Sequence, residues 1–274
     1  MPELPEVETI RRQLEPKLID AVIVDAGSHW SDKFTPALEA VDGQVVAIRR
    51  RGKYLVFSLR HDDGLLKELV IHLGMTGRLA VSEPGERVDL DHSHLRAWWL
   101  LDDERQFTFH DIRRFGRIHH VDAADYRDIP TLHALGPEPW DDAFTGAHLA
   151  RFVQRRDRHL KTILLGQRAV AGVGNIYADE ALWDAKINPA TRRLSRERAD
   201  RLVVAIRAAL QSGLDHGGTT LRDYVDSEGQ TGANQHELFC YGRAGEPCPR
   251  CATILRSRSL DARTTTWCPS CQAR

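Results

Sequence analysis

Apolar side chains recur at Leu4, Val7, Ile10, Leu14 and Leu18, with Arg11, Arg12 and Lys17 between them. That spacing predicts an amphipathic helix at the start of the chain. Pro5 suits its first turn, where the missing N–H would have no partner anyway. Short β-type runs follow at 21–24, 45–48, 54–59, 69–73, 95–101, 107–110 and 117–121, separated by Gly and Asp turns. Several short strands at this spacing predict a β-sandwich or barrel. Leu135-Gly-Pro-Glu-Pro-Trp140 then reads as a stop and a linker. Beyond it the apolar period becomes helical. Thr145 can cap a helix carrying Leu149, Phe152 and Val153, and further helices are expected at 161–167, 176–185 and 196–214. A glycine break, Ala171-Gly-Val-Gly174, parts two of them, and residues 217–237, rich in Gly, Thr, Ser and Asp, read as a mobile loop region. The expected fold class is α+β: a sandwich with a leading helix, then a helical region, then a short cysteine-bearing tail.

Composition adds limits. The chain has 274 residues, enough for two modest domains or one large one, and its 42% hydrophobic and 28% charged residues are ordinary for a globular protein. No apolar run is long enough to span a membrane. The opening acids Glu3, Glu6 and Glu8 do not resemble a secretory signal, so a cytoplasmic location is expected. The formal net charge of -1 conceals an uneven distribution. From 83 to 142 there are fourteen acids against seven basic residues, and from 148 to 207 thirteen basic residues against six acids. From 240 to 274 six arginines face two acids. The basic back half keeps a nucleic-acid partner open.

The tail is too short for a hydrophobic core of its own and needs a staple. Cys248-Pro-Arg-Cys251 and Cys268-Pro-Ser-Cys271 supply one, with sixteen residues between the pairs. Two such knuckles complete a thiolate tetrahedron around one zinc ion, and four protein ligands leave no open position, so the metal is expected to be structural. The residues between the pairs can form a β-hairpin bearing Arg256, Arg258 and Arg263. Cys240 is left over and is expected to be a small packing residue.

Met1-Pro2-Glu3 carries a different chemistry. Pro2 is small, so removal of Met1 is expected, which would expose a secondary amine. A free α-amino group has a pKa of roughly 8, leaving a usable neutral fraction near neutrality. Such an amine can form an iminium with a carbon electrophile. Glu3 is adjacent to it, and Glu6 falls on the same side of a helical turn.

Pro2-Glu-Leu-Pro-Glu-Val-Glu-Thr9 resembles the N-terminal signature of the formamidopyrimidine-DNA glycosylase/endonuclease VIII family. Arg51-Gly-Lys-Tyr-Leu55, His72-Leu-Gly-Met-Thr-Gly77, Asp111-Ile-Arg-Arg-Phe-Gly116, Leu135-Gly-Pro-Glu-Pro139, Gly172-Val-Gly-Asn-Ile-Tyr177, Gly217-Gly-Thr-Thr220, Tyr241-Gly-Arg243 and the cysteine finger follow in the family's order. The resemblance spans essentially the whole chain. It implies a catalytic β-sandwich domain at 1–134, a helix–two-turn–helix domain with a lesion-capping loop at 135–239, and a zinc finger at 240–274. It also implies a monomer acting on damaged duplex DNA: a base-excision glycosylase for oxidised purines (8-oxoguanine and formamidopyrimidines), with a lyase activity that cuts the strand by β,δ-elimination.

The residue roles follow from the same resemblance. Pro2 is the nucleophile, Glu3 the general acid/base, and Glu6 orders water or the opened sugar. Lys53 and Arg263 hold the phosphates beside the lesion. Met75, Arg113 and Phe115 fill the space left by the extruded base. His72, His92, Arg156, Lys161, Asn175 and Tyr241 touch the DNA backbone, and residues 222–237 close over the base. Two other readings stay open on sequence: an endonuclease VIII-type enzyme for oxidised pyrimidines, and a non-enzymatic zinc-ribbon DNA-binding protein.

Overall fold

A computed structural model describes residues 1–86, 89–90, 92–154 and 157–273. Contacts divide the chain into two compact units, one of Met1–His133 with Gly217–Ala233 and one of Ala134–His216 with Asn234–Arg274.

The first unit opens with helix α1 (Leu4–Leu18), and all five residues of its predicted apolar stripe are at most 1% exposed. The helix starts where the sequence favours it: Pro5 lies in the first turn, and Glu6 returns its carboxylate to accept from the Glu3 backbone N–H at 2.8 Å. The strands form two antiparallel four-stranded sheets among the described residues. One has the order β2 (Gln44–Arg51), β3 (Tyr54–Arg60), β4 (Leu66–His72), β8 (Arg117–Asp122). The other has the order β1 (Ile23–Ser28), β6 (Leu95–Leu101), β7 (Gln106–Asp111), β5 (Gly77–Val81). One continuous apolar cluster unites them, with Val7 and Ile10 of α1, Phe57 and Ile71 of one sheet and Trp99 and Phe109 of the other. This is the expected sandwich with its leading helix.

Strand β5 was not expected from the sequence. It alternates buried Gly77 and Leu79 with exposed Arg78, but its glycine-rich approach reads as a turn. The segment 217–233 is irregular and yet tied down. Asp226 accepts from the Gln13 side chain at 2.7 Å, the Ser227 N–H donates back to Gln13 at 3.0 Å, and Lys17 pairs with Glu228 at 3.5 Å.

The second unit is helical: α2 (Pro130–His133) closes the first unit's chain, then come α3 (Gly146–Gln154), α4 (Leu160–Leu165), α5 (Asn175–Asp184) and α6 (Arg196–Asp215). Thr145 caps α3 as expected, its hydroxyl accepting from the His148 N–H at 3.2 Å, and Ser195 does the same for α6 from the Arg198 N–H. The tail folds as a hairpin of β9 (Arg256–Leu260) and β10 (Arg263–Trp267). Asp261 and Ala262 at its tip both have positive φ, 47° and 62°, which closes a two-residue turn matched to the strands' twist. No helix among the described residues is long and apolar enough to cross a membrane.

Candidate functional site

In the first unit the N-terminus lies among charged side chains. With Met1 in place the terminal amine belongs to Met1; it is partly buried, and desolvation draws its pKa below the ordinary value of 8.0, with Glu3, Glu6 and Asp223 opposing and Lys53 adding to the shift. Pro2, Glu3, Glu6 and Lys53 are all buried, Glu3 and Glu6 at 2% exposure and Lys53 at 6%. Burying three charges side by side is costly unless they compensate one another.

Glu6 is a tie more than a free acid. One carboxylate oxygen accepts from the Glu3 N–H at 2.8 Å and the other from the Thr219 N–H at 2.7 Å. It therefore joins the N-terminus to the 217–220 turn. Gly218 sits there with φ 92°, and a Cβ on it would lie 2.9 Å from the Glu6 Cγ, so a side chain is excluded on both counts. The sequence reading missed Thr219, because its partner is more than two hundred positions away in the chain.

Lys53 stands just before β3, at the tight turn from β2. Directly beyond it, Tyr54 pairs with His72 across the β3–β4 ladder, and their rings are 4.8 Å apart. The His72 Nδ1 accepts from the Gly74 N–H at 3.1 Å. Burial first, then the nearby charges of Lys53 and Arg117, lowers its pKa to about 4. His72 is thus neutral near pH 7 with its proton on Nε2, a hydrogen-bond donor suited to a phosphate oxygen.

Met75, Arg113 and Phe115 come together on adjoining loops. The backbone of Gly74 lies so near Phe115 and Gly116 that a Cβ there would approach to 2.5 Å. Met75 is 36% and Phe115 49% exposed, and the Arg113 guanidinium lies 4.9 Å from the centre of the Phe115 ring. Asp111, fully buried, builds this loop: its carboxylate accepts from the Thr76 hydroxyl at 2.5 Å, the Arg113 N–H at 3.2 Å and the Gly116 N–H at 2.7 Å. The sequence offered Asp111 only as the first letter of a motif. Its role needed the Thr76 hydroxyl, which lies on another loop.

His92 is exposed and stacks edge-on against His94 and His110, with centroids 5.5 and 5.3 Å away. The three histidines and Arg78 line one side of a cavity of about 780 Å³. Thr76 and Ile112 lie on its wall, with Asp223, Val225, Ser227 and Glu228. Burial, followed by His92 and Arg78, lowers the pKa of His110 to about 4.

In the second unit Asn175 is the first residue of α5, following Gly174. Its side-chain N–H donates to the Tyr241 hydroxyl at 3.5 Å. Arg263 is exposed at the start of β10, directly after the hairpin tip. The tip is fixed to α4, because Asp261 accepts from the Thr162 hydroxyl and pairs with His159 at 3.5 Å.

Lys161, expected to touch the DNA backbone, lies inside the second unit. It is 1% exposed, its ammonium 2.7 Å from the equally buried Asp179 and donating to the Thr264 carbonyl at 2.9 Å. Asp179 also accepts from the Thr266 N–H at 2.9 Å. The pair thus clamps the strand that carries Arg263. The next residue, Glu180, accepts from the backbone N–H groups of Phe239, Cys240 and Tyr241 at 2.9, 2.9 and 2.6 Å, which fixes the entry to the finger. Arg156 lies outside the described residues.

The four sulfurs of Cys248, Cys251, Cys268 and Cys271 all lie within 4.8 Å of one another. Zn–S bonds of about 2.3 Å in a tetrahedron place sulfurs roughly 3.8 Å apart, so the set fits one zinc ion with no position left for substrate. Trp183 donates its indole N–H to the Cys248 sulfur at 3.4 Å, and the Cys271 N–H donates to the Cys268 sulfur at 3.3 Å. Cys240 stands outside the set, buried against it, with its thiol directed at the Thr266 carbonyl.

Comparison with known proteins agrees with this geometry. Residues 1–118 match the formamidopyrimidine-DNA glycosylase N-terminal domain, 135–225 the H2TH domain of formamidopyrimidine-DNA glycosylase, and 245–274 a zinc finger found in FPG and IleRS. A formamidopyrimidine-DNA glycosylase of Desulforamulus reducens is 43% identical over 282 residues, covering 99% of each chain. The crystal structure of the MutM (Fpg) protein of Thermus thermophilus superposes with a TM-score of 0.89 at 40% identity, covering 100% of this chain and 99% of that one. A Lactococcus lactis Fpg variant bound to DNA containing Fapy-dG gives a TM-score of 0.88 at 31% identity, covering 100% of both. The chain belongs to the formamidopyrimidine-DNA glycosylase family, and its finger holds one structural zinc ion.

Proposed function

We propose that this chain excises oxidised purines (8-oxoguanine and formamidopyrimidines) from duplex DNA and then cuts the strand at the site, acting as a cytoplasmic monomer. The observation that carries the reading is the buried Pro2, with Glu3, Glu6 and Lys53 buried about the same terminus. With Met1 removed, the Pro2 nitrogen donates its lone pair to C1′ of the damaged nucleoside. The bond from C1′ to the base breaks, and the base leaves with a proton. Opening of the sugar ring gives an iminium between Pro2 and C1′, with Glu3 handling the proton at the ring oxygen. The iminium is an electron sink, so the C2′ proton becomes acidic. Its removal expels the 3′ phosphate, and a second elimination expels the 5′ phosphate. Water then releases the sugar remnant and restores the amine.

The remaining residues bind and orient. Lys53, neutral His72, Arg263, Asn175 and Tyr241 are suited to phosphates, which carry affinity but no sequence information. This is appropriate where lesions fall in any sequence. Lys161 acts through the hairpin rather than at the DNA. Phe115 is the apolar wedge for the emptied stack and Arg113 the donor to the orphaned base. Extrusion costs a few kcal/mol, least for a damaged base. The cavity between Thr76 and Asp223 is the candidate receptacle for that base. The zinc supplies no chemistry at the sugar; it holds the Arg263 hairpin in shape.

Duplexes each carrying a single 8-oxoguanine or a single thymine glycol separate this reading from an oxidised-pyrimidine enzyme. Single-turnover cleavage should favour 8-oxoguanine opposite cytosine by at least about tenfold, a gap of about 1.4 kcal/mol in barrier. A preference for thymine glycol would sink the purine assignment.

A further inference from the structure

Among the described residues the most exposed large apolar side chain is Trp30, at 91%, well above Val204 at 67%. Nothing in the roles above uses it. It does not hang from a slack loop. The turn that carries it is fixed at each end: the His29 N–H donates to the Arg96 carbonyl at 2.8 Å, and the Phe34 and Thr35 N–H groups donate to the Ser31 carbonyl at 2.8 and 3.0 Å. Phe34, 1% exposed, anchors the turn in the core against Phe109. A rigid turn therefore presents an indole to solvent.

That turn is bonded to the Phe115 loop. The Lys33 ammonium donates to the Arg114 carbonyl at 3.0 Å, and the Ile118 N–H donates to the Lys33 carbonyl at 2.8 Å. The rim so formed carries Trp30, Ile112 at 59% and Phe115 at 49% exposure, interleaved with Lys33, Arg113 and Arg114. Asp32 is the acid of the turn. Exposed aromatic groups alternating with cations suit nucleic acid, the rings meeting bases or sugars and the cations meeting phosphates.

We infer that Trp30 is a further DNA-contacting residue, an aromatic prop that meets the duplex beside the lesion and continues the surface begun by Phe115. This rests on the proposed action at duplex DNA. The geometry limits its reach. Three Cα–Cα steps separate Trp30 from Lys33, at most about 11 Å of chain at 3.8 Å each. With a base-pair rise of about 3.4 Å, that stretch spans about three base pairs, so Trp30 meets the DNA to one side of the wedge.

The test is equilibrium binding to a duplex carrying an abasic analogue, measured for the wild-type protein, Trp30→Ala, Trp30→Phe and Leu65→Ala. Leu65 is exposed at 54% beside the start of β4, while His72 and the Met75 loop lie at the other end of that strand. Trp30→Ala should raise Kd about tenfold, in the range of losing one aromatic–base contact. The salt dependence should not change, because no cation is lost. Trp30→Phe should recover most of the loss, and Leu65→Ala should stay within about twofold, the usual scatter for a surface change. Trimming the duplex to two base pairs on the contacted side should erase the difference between Trp30→Ala and wild type. Borohydride trapping of the wild-type protein on an abasic site, run alongside, shows whether the enzymatic reading stands. If wild type traps and Trp30→Ala binds as tightly as wild type, the inference is overturned and the enzymatic reading survives. A Trp30→Ala loss that persists on the trimmed duplex also overturns it, since the indole would then act on something other than flanking DNA, such as a second copy of the chain.

Discussion

A protein that keeps Met1 should lose base release and strand cleavage together, by about a thousandfold or more (the order seen when a covalent nucleophile is removed). Inserting an arginine between Met1 and Pro2 retains the methionine and leaves the rest of the chain unaltered. The Pro2 nitrogen then lies within an amide and has no lone pair to give. Both activities fail because a single intermediate serves both: the base leaves from the carbon that Pro2 attacks, and the strand breaks through the iminium that results. DNA binding should change far less, since the phosphate contacts proposed above come from Lys53, His72 and the second unit. Pro2→Gly should keep a weak residue of both activities, because that variant, once its methionine is removed, still begins with a free amine. Single-turnover assays of base release and nicking, with a binding titration, check this. Separate survival of either activity in the Met1-retaining protein would show that base release and cleavage use different nucleophiles.

Cys268→Ser should unfold the finger. The cluster around the metal site is small: Trp183, Cys240, Leu255 and the ligands Cys248, Cys268 and Cys271. Structural zinc contributes about 10–16 kcal/mol to such modules, far more than that cluster can supply. Loss of the metal frees β9 and β10, and with them Arg263 and the Thr264 and Thr266 backbone held by Lys161 and Asp179. The buried pair then loses its two backbone partners on the finger, so α4 and α5 should loosen as well. Zinc content should fall from one equivalent to near zero and affinity for abasic-analogue duplex about a hundredfold, while the sandwich, whose core includes none of these residues, keeps its melting transition. Metal analysis, a binding titration and calorimetry read the three quantities. Undiminished affinity without zinc would remove the finger from the binding surface.

Much of this was legible in the chain, for physical reasons that differ between elements. The α1 stripe could be read because a helix repeats its buried face every three or four residues, and the cysteine pairs because two CxxC knuckles have few other uses. Strand β5 was not, since five residues beginning with Gly77 give too short an alternation to stand out from the turn before it. Within the site, Pro2, Glu3 and Lys53 stand in motifs whose resemblance names them. Glu6 and Asp111 stand in motifs too, but what they do depends on groups brought in by folding, the Thr219 amide in one case and the Thr76 hydroxyl in the other. Lys161 shows the opposite hazard. A lysine in a basic stretch looks made for phosphate, and only the fold places Asp179 against it. The division at residue 135 took its cue from the Gly-Pro-Glu-Pro stop, whereas the contacts of Gly217–Ala233 are with the first unit. Sequence order carries no sign of that return.

The claim on which the rest depends is that the Pro2 nitrogen becomes bonded to C1′ of the damaged nucleoside. The direct measurement is borohydride reduction during reaction with an 8-oxoguanine duplex, followed by proteolysis and mass spectrometry of the linked peptide. The account predicts one adduct, on the peptide that begins at Pro2, with Met1 absent and the mass of the reduced sugar remnant on the proline nitrogen. An adduct on Lys53 or any other lysine, or none while strands are being cut, would contradict it.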